Sequence, residues 1–221
     1  MKKMPAAKDK TKPALTRELV LRTALEILDE NGVADFSMRN LGKRLGVEAM
    51  SLYNHVANKD DLIDGALDMV IGEIVIPQAL TPWRAAMQER ARSALLAFKR
   101  HPWASALMDS RLSSHSARLR YYDSIIGNLH HAGFSLEQAA SVFSVLDSYV
   151  YGFIQQQLHM DSQNKNADQK PAELFYQNNP MEAYPFLAQL TQLTIAKGID
   201  ENAEFAFGLN LILDGIERML L

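Results

Sequence analysis

The chain has 221 residues, 48% of them hydrophobic, and a net charge of −3, which allows one small and one larger domain, each with its own core. It has no cysteine and no apolar run near the roughly 18 residues of a membrane span, which excludes disulfides, cysteine chemistry and a transmembrane helix. The basic N-terminal segment lacks the apolar stretch of a secretory signal, so we expect a cytoplasmic protein.

The first predicted helix begins after Thr16 and ends at Asn31. The Thr16 hydroxyl can accept a hydrogen bond from the N–H groups that open a helix, and the Asn31-Gly32 pair is typical of a helix end. Apolar residues recur on one face of this segment, whereas Arg17 projects outward near its start.

Residues 36–59, with the sequence FSMRNLGKRLGVEAMSLYNHVANK, have the pattern of a helix-turn-helix. Ser37 can cap the first helix, Gly46 can end it, and a second helix is predicted over residues 49–56. The inward-facing residues recur three or four positions apart and comprise Met38, Leu41 and Leu45 in the first helix and Leu52 and Val56 in the second.

The second helix of this motif presents a surface suited to DNA. At about 100° per residue, Asn54 lies opposite the buried pair, with Met50 and Ser51 beside it and Tyr53 and His55 on the two flanks. The outermost residues can approach base edges, and the flanking residues can bind phosphates. The predicted DNA-contacting residues are Arg17, Ser37, Arg39, Ala49, Met50, Ser51, Tyr53, Asn54, His55 and Lys59.

From Asn58 onwards the pattern predicts helix after helix and no strand. Asn58 can cap the next helix, so that its free N–H groups and the Lys59 ammonium face an anion-binding position. The later predicted caps are Thr81, Ser113 or Ser114, the capping box from Ser135 to Gln138, and Asp200. The predicted helices span residues 59–76, 82–100 and 103–108, then from Ser113 or Ser114 to Gly133, then residues 136–160, 172–177, 181–197 and 201–220. The polar residues 161–170 are expected to form a mobile loop.

Two of these helices, the long one over residues 136–160 and the last one over residues 201–220, carry more apolar surface than a single domain core uses. Gly208 and Gly215 lie seven residues apart on one face of the last helix. A glycine within a helix destabilises it by about 1 kcal/mol relative to alanine, which a closely packed second helix explains. We therefore predict a symmetric homodimer through a four-helix bundle that includes Phe153, Gly208, Ile212 and Gly215. A helix crossing within one chain is the alternative.

Charge is divided unevenly along the chain. Residues 1–60 hold eleven Lys and Arg against eight Asp and Glu, whereas residues 61–221 hold twelve against eighteen. A basic excess at the N-terminal end suits a DNA-neutralising module carried on an acidic body. Residues 1–14, with five lysines, are predicted to form a disordered basic tail, and whether this tail contacts DNA or only aids solubility stays open.

Three segments together resemble the DNA-binding domain of tetracycline-repressor (TetR-type) transcriptional regulators: TRELVLRTALEILDENG, MRNLGKRLGV and SLYNHVANKDDL. The resemblance extends more weakly into the C-terminal region, where HAGFSL and FGLNLILDG look most like the branch that contains the tetracycline repressor. It implies an all-α fold, with a helix-turn-helix DNA-binding domain over residues 15–62 and a larger ligand-binding and dimerisation domain over residues 63–221.

The same resemblance implies a homodimeric repressor that binds a palindromic double-stranded DNA operator and is released by a small-molecule effector. Activation instead of repression, and control by a protein partner instead of a small molecule, stay open. An enzyme is the rival class, but none of the six histidines stands at i, i+4 from another or in an H-E-x-x-H frame, and no Gly-rich phosphate loop occurs. We therefore expect no enzyme and no cofactor.

The resemblance also implies a small-molecule site between the helices after residue 80. The candidate lining residues are Trp103, Met108, Tyr122, Phe143 and Asp147, although aromatic and methionine residues at helical spacing also fill cores. Met108 stands where the tetracycline repressor has its metal-binding histidine, and the drug-contacting polar residues of that repressor fall on Arg90 and Ser124. A methionine cannot replace an imidazole on magnesium, so we expect neither a bound metal nor binding of magnesium-tetracycline.

Overall fold

The regular structure of this chain is helical. A computed structural model describes residues 14–78, 80–108, 116–164 and 171–220, and the elements in these ranges are helices without a strand, which confirms the predicted all-α class. The described residues divide into two compact units, one that ends at Met69 and one that begins at Val70. Within the same ranges, no helix combines the length and the hydrophobicity that crossing a membrane requires.

The described part of the N-terminal unit contains three helices and most of a fourth. They are α1 (Arg17–Asn31), α2 (Met38–Leu45), α3 (Ala49–Leu52) and α4 (Lys59–Ile71), whose last two residues belong to the second unit. Their packed faces form an apolar core of almost fully buried residues. It comprises Val20, Ala24, Ile27, Leu28, Phe36, Leu41, Leu52, Val56, Leu62 and Ile63.

Capping side chains begin three of these helices, as predicted. Thr16 Oγ1, Ser37 Oγ and Asn58 Oδ1 each accept a hydrogen bond from the N–H group three residues later, at 3.2, 3.2 and 2.8 Å. Gly46 ends α2 with a φ angle of 68°, a left-handed conformation that glycine adopts without steric penalty. Gly42 lets α2 and α3 approach closely, because a Cβ there would lie 2.9 Å from the Val47 carbonyl oxygen.

The helix predicted over residues 49–56 is shorter than expected. It ends at Leu52, and the following residues form a turn. In this turn the Asn54 N–H donates to the Ser51 carbonyl at 3.3 Å, and the His55 N–H donates to the Leu52 carbonyl at 2.9 Å. These bonds span three residues instead of four, so the chain tightens after α3 while Leu52 and Val56 still face inward.

The helix predicted over residues 59–76 also ends early, at Ile71. The next hydrogen bonds again span three residues, from the Glu73 N–H to the Val70 carbonyl and from the Ile74 N–H to the Ile71 carbonyl, both at 3.0 Å. The Val75 N–H then donates to a serine hydroxyl of the C-terminal unit, Ser93 Oγ, at 2.9 Å. This side-chain bond replaces the backbone bond that a longer helix would need.

Seven helices follow in the described part of the C-terminal unit. They are α5 (Trp83–Arg100), α6 (Pro102–Ser105), α7 (Ser116–His131), α8 (Leu136–Asn164), α9 (Pro171–Asn178), α10 (Pro185–Lys197) and α11 (Glu201–Glu217). The long helix α8 is central to this unit, because α5, α6, α7 and α11 all pack against it. Helices α9 and α10 pack against each other.

Two predicted caps of the C-terminal unit are confirmed. In the capping box, the Ser135 N–H donates to Gln138 Oε1 at 2.8 Å, and the Gln138 N–H donates to Ser135 Oγ at 3.1 Å. Asp200 Oδ1 accepts from the Ala203 N–H at 3.0 Å and begins α11. Local side-chain signals therefore located these two helix starts correctly.

Other predicted bounds of this unit are wrong. Helix α8 continues to Asn164, so the loop expected over residues 161–170 does not include its first four residues. Pro82 occupies the cap position assigned to Thr81. The helix expected over residues 181–197 is divided, because a short 3-10 turn precedes Pro185, which lacks the N–H needed to continue a helix. Several predictions fall on residues outside the described ranges: the disordered tail over residues 1–13, the caps Ser113 and Ser114, and the loop over residues 165–170.

Candidate functional site

Helix α3 is short and firmly anchored, and it presents side chains on its opposite face. Leu52 and Val56 are 0% and 4% exposed beneath it, whereas Met50 is 76% exposed. Asn54 is exposed, and Tyr53 beside it is 46% exposed. The structure therefore brings together the outermost residues of the predicted reading surface.

Three further residues of this surface lie closer to the protein body. Ala49, Ser51 and His55 are half-buried. The Ser51 hydroxyl donates to the Glu48 carbonyl at 2.5 Å, so its hydrogen is already engaged. These residues therefore have less reach toward a ligand than Met50 or Asn54.

Helix α2 adds a basic edge next to α3. Arg39 is exposed, and so is Lys43 four residues later on the same stripe of the helix. Both residues line a groove that also includes Glu48 and Ala49 at the start of α3. Lys43 was missed in the sequence, although its spacing of four from Arg39 was an available signal.

Two predicted contact residues have defined partners within the N-terminal unit. Ser37 is half-buried, and its hydroxyl accepts from the Asn40 N–H as the cap of α2. The Lys59 ammonium lies 5.7 Å from the centre of the Phe36 ring, within the range of a cation–π contact. Lys59 thus stands at the start of α4, as expected, but with its side chain resting on an aromatic ring.

Arg17 projects outward as expected, but its guanidinium is already hydrogen-bonded within the N-terminal unit. Its Nη1 donates to the His55 carbonyl at 2.8 Å, and Nη1 and Nη2 donate to the Asp61 carboxylate at 3.1 and 2.8 Å. The hydrogen bond with Asp61 raises the pKa of Arg17 further above its ordinary value. The Arg17 guanidinium is therefore occupied by its own chain, although its side chain is 45% exposed.

The candidate ligand-binding residues lie in the C-terminal unit, on or after α6, α7 and α8. Tyr122 and Phe143 are half-buried, and their rings meet edge to face at a centroid distance of 5.4 Å. Trp103 and Met108 are buried. Asp147 is also buried.

Asp147 belongs to a buried polar cluster centred on Arg90. The Asp147 carboxylate accepts from Arg90 Nη2 and, at 3.0 Å, from the Tyr151 hydroxyl. Arg90 Nε donates to the Tyr121 hydroxyl at 2.8 Å. The guanidinium also lies 5.3 Å from the Tyr121 ring centre and 5.1 Å from that of Phe143. The cluster thus combines one ion pair with three aromatic rings from α7 and α8.

Arg90 and Tyr121 were not predicted as parts of one site. Burial raises the pKa of the Tyr121 hydroxyl, and the Arg90 charge opposes this only in part, so the phenol stays protonated. A signal for Arg90 was present, because it falls between Met87 and Ala94 on the apolar stripe of α5. A charged residue on such a stripe indicates a buried partner, but not which one.

Gly208 is explained by packing within the chain. A Cβ at this position would lie 2.4 Å from the Tyr149 hydroxyl oxygen. Tyr149 is itself held, because its hydroxyl donates to the Phe205 carbonyl at 2.9 Å and its ring stacks on that of Phe205 at 5.4 Å. The alternative of an internal crossing between α8 and α11 therefore accounts for this glycine, which corrects the argument that Gly208 requires a second subunit.

Gly215 differs from Gly208, because a Cβ there would meet no described atom within 4 Å. Phe207 and Leu211 precede it by eight and four positions and are 69% and 57% exposed. These three residues form one outward apolar stripe on α11. Ile212 and Phe153 are half-buried, and the Phe153 ring centre lies 5.1 Å from that of Phe205 on α11.

Two family models of bacterial transcriptional regulators together match most of the chain. A family model described as "Tetracyclin repressor-like, C-terminal domain" matches residues 76–220, and one described as "Bacterial regulatory proteins, tetR family" matches residues 20–66. The HTH-type transcriptional repressor DrrR1 of Streptomyces coeruleorubidus is 31% identical over 218 residues, which cover 95% of this chain and 80% of that protein. The tetracycline repressor protein class C of Escherichia coli is 28% identical over 215 residues, covering 94% and 93%.

Solved structures with a similar fold include two ligand complexes. The TetR family protein ActR of Streptomyces coelicolor, in complex with actinorhodin, matches with a TM-score of 0.75 and 26% identity over 94% of this chain and 99% of that chain. A TetR variant of Acinetobacter baumannii, in complex with minocycline, matches with a TM-score of 0.72 and 26% identity over 93% and 95%.

Proposed function

Because this chain belongs to the TetR family of bacterial transcriptional regulators, we propose that its α3 surface reads one half of a palindromic DNA operator. The observation that carries this proposal is the contrast around α3. Leu52 and Val56 are buried beneath α3 and the turn that follows it, while Met50 and Asn54 are exposed. Anchored backbone with free outer side chains is what a recognition helix needs to enter a major groove.

The predicted contact residues divide into two roles. Met50 and Asn54 contact base edges, where an amide recognises adenine and an apolar side chain recognises the thymine methyl group. Ala49 and Ser51 permit and support that approach. The remaining predicted residues, with the exception of Arg17, contact phosphates along the two strands: Ser37, Arg39, Tyr53, His55 and Lys59.

The regulator works as a homodimer whose bundle includes α8 and α11 of each subunit. The apolar stripe of Phe207, Leu211 and Gly215 on α11 supports this, because large exposed apolar side chains in a row mark an interaction surface. Ile212 on α11 and Phe153 on α8 are half-buried and belong to the proposed interface. Sedimentation at micromolar concentration tests the proposal, and a monomer there contradicts it.

A small-molecule effector binds in the C-terminal unit near the cluster of Arg90 and Asp147. Arg90 Nη1 is a buried donor without a hydrogen-bond partner among the described residues, and an acceptor oxygen of an effector would satisfy it. Tyr122 and Phe143 supply aromatic surface beside it, and Trp103 and Met108 are the other candidate lining residues. The similar structures in complex with actinorhodin and minocycline support an effector site in this fold.

For the effector to release the operator, its affinity must be higher for the conformation that cannot bind DNA than for the conformation that can. Helix α4 is the expected lever, since its residues fall in both units. Repression is the activity that follows, with release by the effector. The protein acts in the cytoplasm, where the bacterial chromosome is accessible to it.

The decisive experiment is footprinting of the purified protein across the genome and on the DNA upstream of its own gene. We expect a protected palindrome with half-sites a whole number of helical turns apart and an affinity that falls steeply with salt. The absence of any preferred sequence contradicts the proposal.

Effector binding is tested by the fluorescence of Trp83 and Trp103. The protein is titrated with apolar, cationic and polycyclic aromatic compounds, and each compound that binds is then tested for operator release. Magnesium-tetracycline serves as the compound expected not to bind, because Met108 offers a soft thioether where a hard magnesium ion needs oxygen or imidazole ligands. A tetracycline-dependent loss of operator affinity would show this expectation to be wrong.

A further inference from the structure

Arg17 and Asp61 meet at the end of the segment proposed to read DNA, which comprises α3 and the following turn (residues 49–56) and is called the reading segment below. Arg17 begins α1, and Asp61 lies in the first turn of α4, 44 positions later in the chain. Two hydrogen bonds of 3.1 and 2.8 Å join their side chains in a bidentate pair. Bidentate pairs between arginine and a carboxylate fix geometry as well as adding attraction.

Both members of the pair also hold the backbone that follows α3. Arg17 Nη1 donates to the His55 carbonyl at 2.8 Å, and Asp61 Oδ2 accepts from the Ala57 N–H at 2.9 Å. These two backbone groups lie on either side of Val56, whose side chain is buried in the core. The pair therefore closes a ring of hydrogen bonds around the exit of the reading segment.

The reading segment needs such support because its own helix is short. Helix α3 has four residues, and most of the backbone bonds of the turn after it span three residues, two of them at 3.3 Å. A helix of this length gains little stability from its own backbone bonds. The positions of Tyr53 and Asn54 therefore depend on what fixes the chain on either side of them.

We propose that Arg17 and Asp61 act as a clamp that positions the segment from Tyr53 to His55 for DNA, and that Arg17 acts through this clamp and not by touching a phosphate. The proposal rests on the proposed function of α3, because it concerns the geometry of the same reading surface. Under this proposal Asp61 strengthens DNA binding, although its negative charge repels DNA.

A phosphate contact by Arg17 and a clamp with Asp61 predict opposite changes in DNA affinity when Asp61 is removed. If Arg17 contacts a phosphate, removal of Asp61 frees the guanidinium and removes a negative charge near DNA, so affinity rises. If the clamp positions the reading segment, removal of Asp61 loosens the His55 and Ala57 backbone, so affinity falls. The same change therefore has opposite outcomes under the two roles.

The experiment measures operator affinity at several salt concentrations for the full chain and four variants: Arg17→Ala, Arg17→Lys, Asp61→Ala and the double variant Arg17→Ala with Asp61→Ala. We expect each single variant to bind about tenfold more weakly, since charge-assisted hydrogen bonds are lost. The double variant should bind no more weakly than either alanine single variant, because both remove the same clamp. The slope of affinity against salt should stay unchanged.

Matched controls separate the clamp from general effects of charge. Glu30→Gln breaks the ion pair of Glu30 with Arg44, which also joins two helices of the N-terminal unit but holds no backbone of the reading segment. It should leave operator affinity within about twofold, as expected for an exposed pair. Arg17→Lys keeps the charge but not the bidentate geometry, so a phosphate contact predicts near-normal binding and the clamp predicts weak binding.

Two results overturn the proposal. One is an Asp61→Ala variant that binds the operator as tightly as the unmodified protein or more tightly. The other is an Arg17→Ala variant whose salt slope falls by about 0.9, the value for one lost phosphate contact.

Hydrogen exchange of the Ala57 amide tests the clamp without DNA. In Asp61→Ala and Arg17→Ala this amide should exchange at least tenfold faster, whereas the amides in the middle of α1 should keep their protection, which shows that the unit is still folded. An unchanged rate at Ala57 contradicts the clamp. If the unmodified protein prefers no operator, the proposed function fails while this measurement still decides on the clamp.

Discussion

The two units of the molecule differ in where they keep their polar side chains. In the described part of the N-terminal unit, Thr23 is the one buried polar residue, and its hydroxyl donates to the Leu19 carbonyl within α1 at 2.9 Å. The described part of the C-terminal unit buries eight: Arg90, His101, Ser105, Arg118, Asn128, Asp147, Gln157 and Thr191. An apolar core makes a rigid platform with its chemistry outside, whereas buried polar groups offer hydrogen bonds to a molecule held between helices.

This difference predicts how substitutions divide. Changes to the polar cluster of the C-terminal unit should reduce stability and effector binding together, because the same side chains serve both in the proposed effector site. Changes on the outer side of α3 should alter DNA binding while leaving stability almost unchanged.

The largest expected effect is on Asp147. Asp147→Ala leaves the Arg90 guanidinium buried without its carboxylate and should lower the free energy of unfolding by about 4 kcal/mol, measured by urea denaturation. The control is Glu201→Gln, which breaks a pair with Lys99 whose side chains are 34% and 40% exposed, and it should change stability by less than about 1 kcal/mol. Equal effects of the two changes would mean that the buried cluster has no special role.

Leu52→Ala should be the largest change in the N-terminal unit. Leu52 is fully buried beneath α3, so its truncation should destabilise by about 3 kcal/mol and abolish specific operator binding. Met50→Ala is the matched control, because Met50 lies two positions away but is 76% exposed and should change stability by less than about 0.5 kcal/mol. Denaturation and a mobility-shift assay on both variants check this; a stable, operator-binding Leu52→Ala protein would place the anchor elsewhere.

The two glycines of α11 should respond differently to a methyl group. Gly208→Ala forces Tyr149 off its hydrogen bond and should destabilise by about 2 kcal/mol. The methyl group of Gly215→Ala meets no atom of its own chain within the described residues, so the subunit should keep its stability. If Gly215 lies in a close contact between subunits, the same methyl group should weaken dimer association. Thermal unfolding and sedimentation equilibrium separate the two outcomes. If Gly208→Ala is neutral, Tyr149 moves aside without loss and the internal crossing is not tight.

The smallest effects concern DNA contacts on the N-terminal surface. Asn54→Ala should reduce discrimination between operator and altered operators by about 1.5 kcal/mol, because an amide contact to a base is lost. Lys59→Ala should weaken binding to all sequences alike and reduce the salt slope by about 0.9. Competition assays with altered operators measure the first change, and titrations in increasing salt measure the second. A uniform loss in Asn54→Ala would assign this residue to the backbone instead.

Much of the fold was predictable because its signals are local. The caps at Thr16, Ser37, Asn58 and Ser135 depend on residues three positions apart, so the sequence contains both partners of each hydrogen bond. The periodicity of apolar residues likewise predicted that Leu52 and Val56 face inward. It did not predict that α3 stops at Leu52, because a tightened turn and a continuous helix both bury this pair.

The contacts that define the candidate sites join distant residues, and no local pattern pairs them. Arg90 and Asp147 are 57 positions apart, and Arg17 and Asp61 are 44 apart. The apolar stripe of α5 indicated a buried partner for Arg90 without naming it. Gly208 shows the same limit, since its spacing from Gly215 indicated close packing but not that Tyr149 of the same chain supplies it.

The exposure of Met50 and Asn54 has a consequence for how such a regulator changes its target. Because neither side chain is buried in the core, replacements at these two positions should leave folding intact and affect only the choice of DNA. With the base contacts proposed for these residues, operator preference should change through single substitutions while the protein remains folded and inducible. A library randomised at positions 50 and 54 should therefore yield functional repressors that bind altered operator sequences.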